Sequence, residues 1–363
     1  MISVKHRDRI NRILQFGIFW LVFGILYTLL EKGLLADSGS YPLRGNPYDF
    51  KTNLVTISLS SVIMGLLMGT LEVYFLSKWF KDGSFIGNML AKTTIYLGSI
   101  VLFLIGLNAI TYARYVSLQV AGNQAALDRG LTLTDYTFWI IVVYIGATVT
   151  MSLLLAELGQ HIGHGVLRNF FTGRYHKPRE EDRIFMFLDM KSSTTIAEQM
   201  GHIAYFELLK RYYADMTEAI QESSGEIYQY VGDEVVITWT MEDGIRNNDC
   251  LACFFRIKAK LEREAARYQK DFGTVPGFKA GLHCGHVTTG EIGSMRKDII
   301  FTGDVMNTTA RIQSLCNENE VDLLVSDVLM KRLPTDDRYL VREIGERQLK
   351  GKDERVHLFT VGV

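Results

Sequence analysis

The chain has 363 residues, 39 of them basic and 40 acidic, for a formal net charge of −1. That balance makes no global electrostatic case for nucleic acid. Its four cysteines (Cys250, Cys253, Cys284 and Cys316) all fall in the second half, which argues against a secreted disulfide framework and for a reduced, cytosolic setting.

The average hides a division, because roughly the first 160 residues are strongly apolar and the rest reads as a soluble domain. Four apolar runs, Ile13–Leu30, Leu54–Leu76, Thr94–Tyr112 and Thr137–Leu155, are each about 18–23 residues long, enough to cross a hydrocarbon core as helices. The first lacks a small-residue cleavage site and three spans follow it, so it is read as an anchor rather than a cleavable signal. Basic residues set the expected orientation. Lys5, Arg7, Arg9 and Arg12 precede the first span; Lys78, Lys81 and Lys92 flank the second loop; Arg168, Arg174, Lys177 and Arg179 follow the fourth span. The expectation is a multi-pass protein of the inner (plasma) membrane, with both termini and the C-terminal domain in the cytoplasm and the lipid bilayer as a partner.

Glu72 sits near the cytoplasmic end of the second span. A membrane carboxylate is costly and often functional, but here it is expected to snorkel or to pair with Lys78. His161 and His164 lie three apart beyond the fourth span and share a face if the helix continues. A polar helix contact is favoured there over metal or haem ligation. Ile162, Val166, Leu167 and Phe170 form the apolar stripe of a helix leaving the membrane, which Gly173 and Pro178 interrupt. The expected domains are a transmembrane domain at 1–157, a linker at 158–182 and a third domain at 183–363.

From Arg183 strands and helices alternate. The pattern predicts strands at 183–189, 225–231, 234–240, 277–284, 286–293, 321–325, 339–345 and 355–361, and helices at 193–222, 244–272, 304–317 and 327–332. This order implies an α/β sandwich, with a largely antiparallel sheet and helices on one face.

Four stretches carry chemistry. In IFMFLDMKSSTT, Ile184 to Thr195, a buried strand ends in Asp189, turns tightly and opens a helix. A carboxylate there can hold a cation, and helix-start amides can hold phosphate. Gly232–Asp233 makes a hairpin tip that places a second carboxylate. If the hairpin lies beside the first strand, the two aspartates repel, and a pair of hard divalent cations, Mg²⁺ or Mn²⁺, resolves the conflict. Asn307 and Arg311, four apart after Gly303, share a helical face. Their amide and guanidinium suit a sugar and a phosphoryl group. Leu349-Lys350-Gly351-Lys352 offers a close-approaching backbone and positive charge. Each stretch alone is unspecific, since aspartate is common at turns and caps. Cys250 and Cys253 lie one turn apart on a helix with no partners in view, and are read as buried thiols.

Together FLDMKSST, YVGDEVV, the Gly303–Arg311 segment and LKGK, in this order and spacing, resemble the catalytic domain of class III nucleotidyl cyclases from about Arg183 to Val361. The four spans give an N-terminal α-helical transmembrane domain, and the resemblance implies that a C-terminal α+β ferredoxin-like class III cyclase domain follows it, working as a homodimer with sites at the subunit interface. It implies that Asp189 and Asp233 bind two metals with the Met190 carbonyl, and that Lys191, Ser192, Ser193 and Thr194 meet the triphosphate. Asn307 would orient the ribose and Arg311 the transition state, both from the partner chain. Lys350 matches the triphosphate lysine, with Lys352 as its rival. At the base-reading positions, ATP-specific members commonly carry lysine, with aspartate or threonine as its partner. Here those positions are Gln229 and Ile300, with Thr302 in reserve if the register slips. ATP is expected, as the family's commoner substrate and because Gln229 lacks the acidic charge typical of guanine readers. GTP and pyrimidine triphosphates are the alternatives. Two rival readings are a diguanylate cyclase, suggested by Val231 to Glu234, and a non-catalytic receptor with a degenerate nucleotide-binding domain.

Overall fold

The computed structural model describes residues 4–35, 48–80, 84–120, 136–162, 173–294, 298–351 and 355–363. The chain divides into two compact units, Arg7–Arg168 and Asn169–Val363, the latter joined by Met1–His6.

The first unit contains helices α1 (Val4–Leu35), α2 (Phe50–Leu71), α3 (Phe85–Val120) and α4 (Tyr136–Ile162). Among the described residues four stretches are long and apolar enough to cross a membrane: Arg9–Leu35, Phe50–Leu76, Phe85–Leu102 and Phe138–Leu158. Inward, Phe16, Trp20, Met68, Leu76, Tyr96, Ile100, Val149 and Leu153 pack together. Outward, Ile18, Leu59, Leu67 and Val143 stay exposed, so the helices are apolar all round, as lipid-facing helices are.

Directly after α2 the backbone widens into a π-helical segment, Glu72–Leu76. Glu72 does not snorkel: its side chain is 3% exposed and its Oε1 lies 2.7 Å from Lys92 Nζ on α3. Tyr96 donates its hydroxyl to Oε2 at 3.2 Å, and Lys92 also reaches Glu157 of α4 at 3.2 Å. A cation that satisfies Glu72 is therefore Lys92, twenty residues on; the side chain of Lys78 lies outside the described residues. The side chain of His161, together with His164, Val166, Leu167 and Phe170, lies outside the described residues.

The second unit is built on one sheet in the order β2-β3-β1-β4-β6-β8-β7, with β5 paired to β4. Its strands are β1 (Arg179–Met190), β2 (Glu226–Val231), β3 (Glu234–Thr240), β4 (Phe278–Ile292), β5 (Asp298–Thr302), β6 (Leu323–Ser326), β7 (Leu340–Gln348) and β8 (Arg355–Gly362). Every pairing is antiparallel except β4 with β6. Between the strands lie α5 (Ser193–Met200), α6 (His202–Glu222), α7 (Met241–Ile245), α8 (Asp249–Arg263), α9 (Ala265–Phe272), α10 (Asp304–Ser314) and α11 (Asp327–Met330).

Helices cover both faces of the sheet rather than one. From β1, Ile184, Met186, Leu188 and Met190 pack with Leu208, Tyr212 and Met216 of α6 and Phe254 and Ile257 of α8. Phe185 and Phe187 turn to the opposite face, against Val236, Val287 and Val305 of α10. An unbroken apolar run such as Ile184 to Leu188 is what a doubly covered strand requires. Other boundaries moved as well. The region 277–293 is one strand, β4, and β5 is an additional strand. Gly201 splits the expected 193–222 helix, and a 3₁₀ turn at Arg246–Asn248 interrupts the region expected as helix 244–272.

Candidate active site

Strand alternation aims Asp189 at the Phe185–Phe187 face, because successive side chains point to opposite sides. Beside it, β3 runs antiparallel with Asp189 opposite Glu234. The turn joining β2 to β3 is two residues long, and its first, Gly232, has φ +63°, a conformation glycine adopts without penalty. Tyr213 of α6 donates its hydroxyl to the Gly232 carbonyl at 2.8 Å. The turn thus brings Asp233 within hydrogen-bonding reach of Asp189.

The electrostatics follow from this crowding. Burial, then Asp233, pushes the Asp189 carboxyl above its usual range, with Lys279 pulling the other way. Glu234 is pushed up to about 7 by burial, then by Asp189 and Asp233. Three carboxylates share one corner. The cation beside them is Lys279, directly across in β4, with Nζ 3.4 Å from Asp189 Oδ2. Gln313 of α10 donates its amide to the same oxygen at 3.3 Å.

The donor set suits a hard cation. Among the described residues no group of three or more His, Cys, Asp or Glu closes into a protein cage. Mg²⁺ characteristically takes only one or two carboxylates and completes its shell with water and phosphate oxygens. The surplus of negative charge at Asp189, Asp233 and Glu234 fits such an ion. Met190 buries its side chain on the other face of the sheet, so only its carbonyl is left to ligate.

The loop after β1 departs in part from expectation. The Lys191 N–H donates to the Gly277 carbonyl at 2.9 Å, and its ammonium is bonded to Asp322, which Lys258 also reaches at 3.1 Å. Burial pushes the Asp322 carboxyl up, but the hydrogen bonds from these two lysines outweigh it and hold it below the usual range. Both phosphate donors of Lys191 are thus engaged within the fold. Ser192 takes a left-handed conformation, φ +56°, and makes no side-chain cap. First-turn amides of a helix have no intrahelical acceptor, which leaves Ser193 and Thr194 at the start of α5 as phosphate donors.

Asn307 and Arg311 stand elsewhere on α10. Its buried residues are Val305, Thr308, Thr309, Ile312 and Gln313, while Asn307 is exposed and Arg311 half-buried. Gln313 touches Asp189, and Arg311 is displaced from it by about 200° around the helix. The structure therefore does not join Arg311 to its own chain's aspartates. It joins Arg311 to the LKGK segment instead, since a Cβ built on Gly351 would lie 3.7 Å from Arg311 Nη2. Lys350 is exposed, and Lys352 lies outside the described residues.

Gln229 and Ile300 are chain neighbours of two rings in contact, Tyr228 and Phe301, whose centroids are 4.9 Å apart. A bulge in β2 between Ile227 and Gln229 pairs Gln229 with Val236. Ile300 pairs with Gly290 on β4, and Thr302 donates to the Thr288 carbonyl at 3.2 Å. One aromatic contact thus links the two strands that carry the candidate base readers.

Sequence reasoning missed Lys279 and Gln313. Lys279 had a faint signal, a charge inside the apolar strand of Phe278 to Leu282. Gln313 had none, as only the packing of α10 turns it to Asp189. Cys250 and Cys253 are free, buried thiols as read, and burial pushes Cys253 up to about 12.

Comparison with known proteins gives a consistent picture. A family model described as the adenylate and guanylate cyclase catalytic domain matches residues 176–361, just over half of the chain. Adenylate cyclase 2 of Rhizobium meliloti (strain 1021) is 32% identical over 265 residues, covering 73% of this chain and 72% of that protein. An adenylate cyclase of Anabaena cylindrica is 28% identical over 183 residues, 48% of this chain and 36% of that protein. Among solved structures, a bacterial light-regulated adenylyl cyclase aligns with a TM-score of 0.52 at 21% identity, covering 63% of this chain and 65% of that one.

Proposed function

The chain belongs to the adenylate and guanylate cyclase family, and from that membership we propose that it converts ATP to 3′,5′-cyclic AMP and pyrophosphate as a homodimer. The observation that carries the proposal is the pairing of Asp189 with Asp233 at the end of β1, beside helix-start amides that suit a phosphate.

In this reading Asp189, Asp233 and the Met190 carbonyl hold two Mg²⁺ or Mn²⁺ ions. Such ions, when bound, lower the pKa of the ribose 3′-hydroxyl and offset charge on the triphosphate. The chain's own groups do the rest. Amides of Ser193 and Thr194 cradle phosphate oxygens, and Lys279 and Lys350 add charge. Asn307 orients the ribose so that the hydroxyl is aimed in line at the α-phosphorus. Arg311 stabilises the charge that develops on the phosphoryl oxygens. Because Arg311 faces away from its own Asp189, two chains are needed to assemble one site. Gln229 offers the base both a donor and an acceptor, while Ile300 supplies only an apolar wall. ATP is favoured over GTP because Gln229 carries no negative charge and the relatives above are named adenylate cyclases.

We further place the four apolar helices in the inner (plasma) membrane with the catalytic unit in the cytoplasm, a reading supported by the basic residues at the cytoplasmic ends of the spans. We propose domains at 1–157, 158–182 and 183–363, with the last residues of the linker, from Arg179, already in strand β1. The test is turnover of purified full-length protein with each of the four nucleoside triphosphates and Mn²⁺, products identified by mass. Cyclic AMP as the dominant product is expected. Dominant cyclic GMP or a cyclic dinucleotide would replace the substrate assignment, and binding without turnover would favour a receptor.

A further inference from the structure

Gln313 is 6% exposed, yet an amide carries two donors and an acceptor that burial must satisfy. Its Nε2 donates to Asp189 Oδ2 at 3.3 Å, the same oxygen that Lys279 Nζ approaches at 3.4 Å. An ionised carboxylate only accepts, so the amide must present its NH₂ there rather than its oxygen. Two donors on one oxygen fix the rotation of the carboxylate and leave Oδ1 for a ligand shared with Asp233.

Both donors take their position from β4. Lys279 is in that strand, opposite Asp189. Gln313 is pressed onto it at Gly281, where an added Cβ would sit 2.5 Å from the Gln313 backbone nitrogen. Only glycine permits that approach, so α10 sits close over the sheet at this point. Hydrogen bonds from outside the ligand set commonly govern metal affinity in this way, by orienting a ligand that would otherwise rotate.

We propose that Gln313 is a positioning residue of the metal site: it acts within its own chain to orient Asp189 for cation binding. The inference rests on the reading of Asp189 as a metal ligand. It differs from the alternative that Gln313 merely packs α10 so that Arg311 reaches the partner chain's site.

The test uses the full-length chain in detergent. Free Mn²⁺ is measured by electron paramagnetic resonance during titration of the parent, Gln313→Met and Asp189→Ala. Gln313→Met keeps the side chain's length and removes both donors. It should weaken Mn²⁺ binding about 10–100-fold, with turnover recovering as Mn²⁺ is raised. Parent-like Mn²⁺ affinity in Gln313→Met overturns the proposal. Retention of the Mn²⁺ site in Asp189→Ala would overturn the metal reading instead, so the two failures are separable. Should Gln313→Met fail to fold, Gln313→Asn keeps the amide but shortens its reach, and must shift affinity in the same direction. Mixed dimers then locate the effect. In a pair of Asp189→Ala and Arg311→Ala chains, the one working site takes its aspartate from the Arg311→Ala chain. Adding Gln313→Met to that chain should raise the Mn²⁺ requirement; adding it to the Asp189→Ala chain should not. An effect confined to the second arrangement would make Gln313 a support for Arg311 and overturn the proposal.

Discussion

Each unit of this protein gathers a cluster of acidic groups, centred on buried Glu72 in the first and half-buried in the second, and the two are balanced differently. In the helical unit Lys92 stands 2.7 Å from Glu72 and 3.2 Å from Glu157, and Tyr96 takes the remaining oxygen of Glu72. In the catalytic unit three carboxylates share one corner, where Lys279 lies 3.4 Å from Asp189, and both Asp189 and Glu234 are pushed up. The first cluster is satisfied by its own side chains and ties three helices together. The second is left short of positive charge, and that shortage is what a cation answers. Buried charges closed on themselves hold structure, whereas buried charges left open invite a ligand.

Removing one partner should therefore damage each cluster in its own way. The largest effect is expected from Asp189→Ala, which should lower turnover by about 10³-fold or more through loss of metal-borne charge stabilisation. Mixing it with Arg311→Ala should restore one working site per dimer, and absence of rescue would count against a shared site. Lys92→Met should leave turnover chemistry untouched but remove the cation paired with buried Glu72, costing about 3–5 kcal/mol in the helical unit. Denaturation of the protein in mixed micelles would report it, and pairing the change with Glu72→Gln should cost less than Lys92→Met alone. A parent-like melt for Lys92→Met would erase the contrast between the clusters.

Smaller effects sharpen the comparison. Tyr213→Phe removes the hydroxyl that supports the turn beneath Asp233, and should cost the catalytic unit about 0.5–1.5 kcal/mol in its thermal transition. A proton count is subtler still. Glu234, pushed up to about 7, binds more protons folded than unfolded between the usual carboxylate range and that value. Its contribution to metal-free stability is therefore present at low pH and lost as pH rises through about 7. Mn²⁺ loading should expel the proton near about pH 6.5 and release almost none near about pH 8.5. Calorimetry in buffers of different ionisation enthalpy would measure this, and release that grows with pH would contradict the open cluster.

Much of the catalytic unit could be read from the chain because its signals are local. Ile184 to Leu188 is apolar without alternation, and the carboxylate stands next to last in its strand. Gly232–Asp233 makes the two-residue turn that a hairpin of these strands needs. The spacing of Asn307 and Arg311 sets them on one helical face. Other features escaped because they join elements far apart in sequence. Lys191 looked like a phosphate donor until Asp322 and Gly277 were seen to occupy it. Glu72 found its cation twenty residues away, on another helix. The second helical face of the sheet and strand β5 depend on how α10 and the end of β4 settle, which no short window of sequence specifies.

The sequence by itself determined the family of the catalytic domain, the four apolar helices and the placement of Asp189 and Asp233 at the ends of their elements. These follow from periodicity and turn chemistry, which act over a few residues. Only the tertiary structure decided which charge meets which. Lys92 answers Glu72, and Lys279 and Gln313 share one oxygen of Asp189, because such contacts depend on helix packing, on strand register and on the close approach of α10 at Gly281. Ion pairs and hydrogen bonds fall off within a few ångströms, so identity at a position cannot reveal its partner until packing has set the distance.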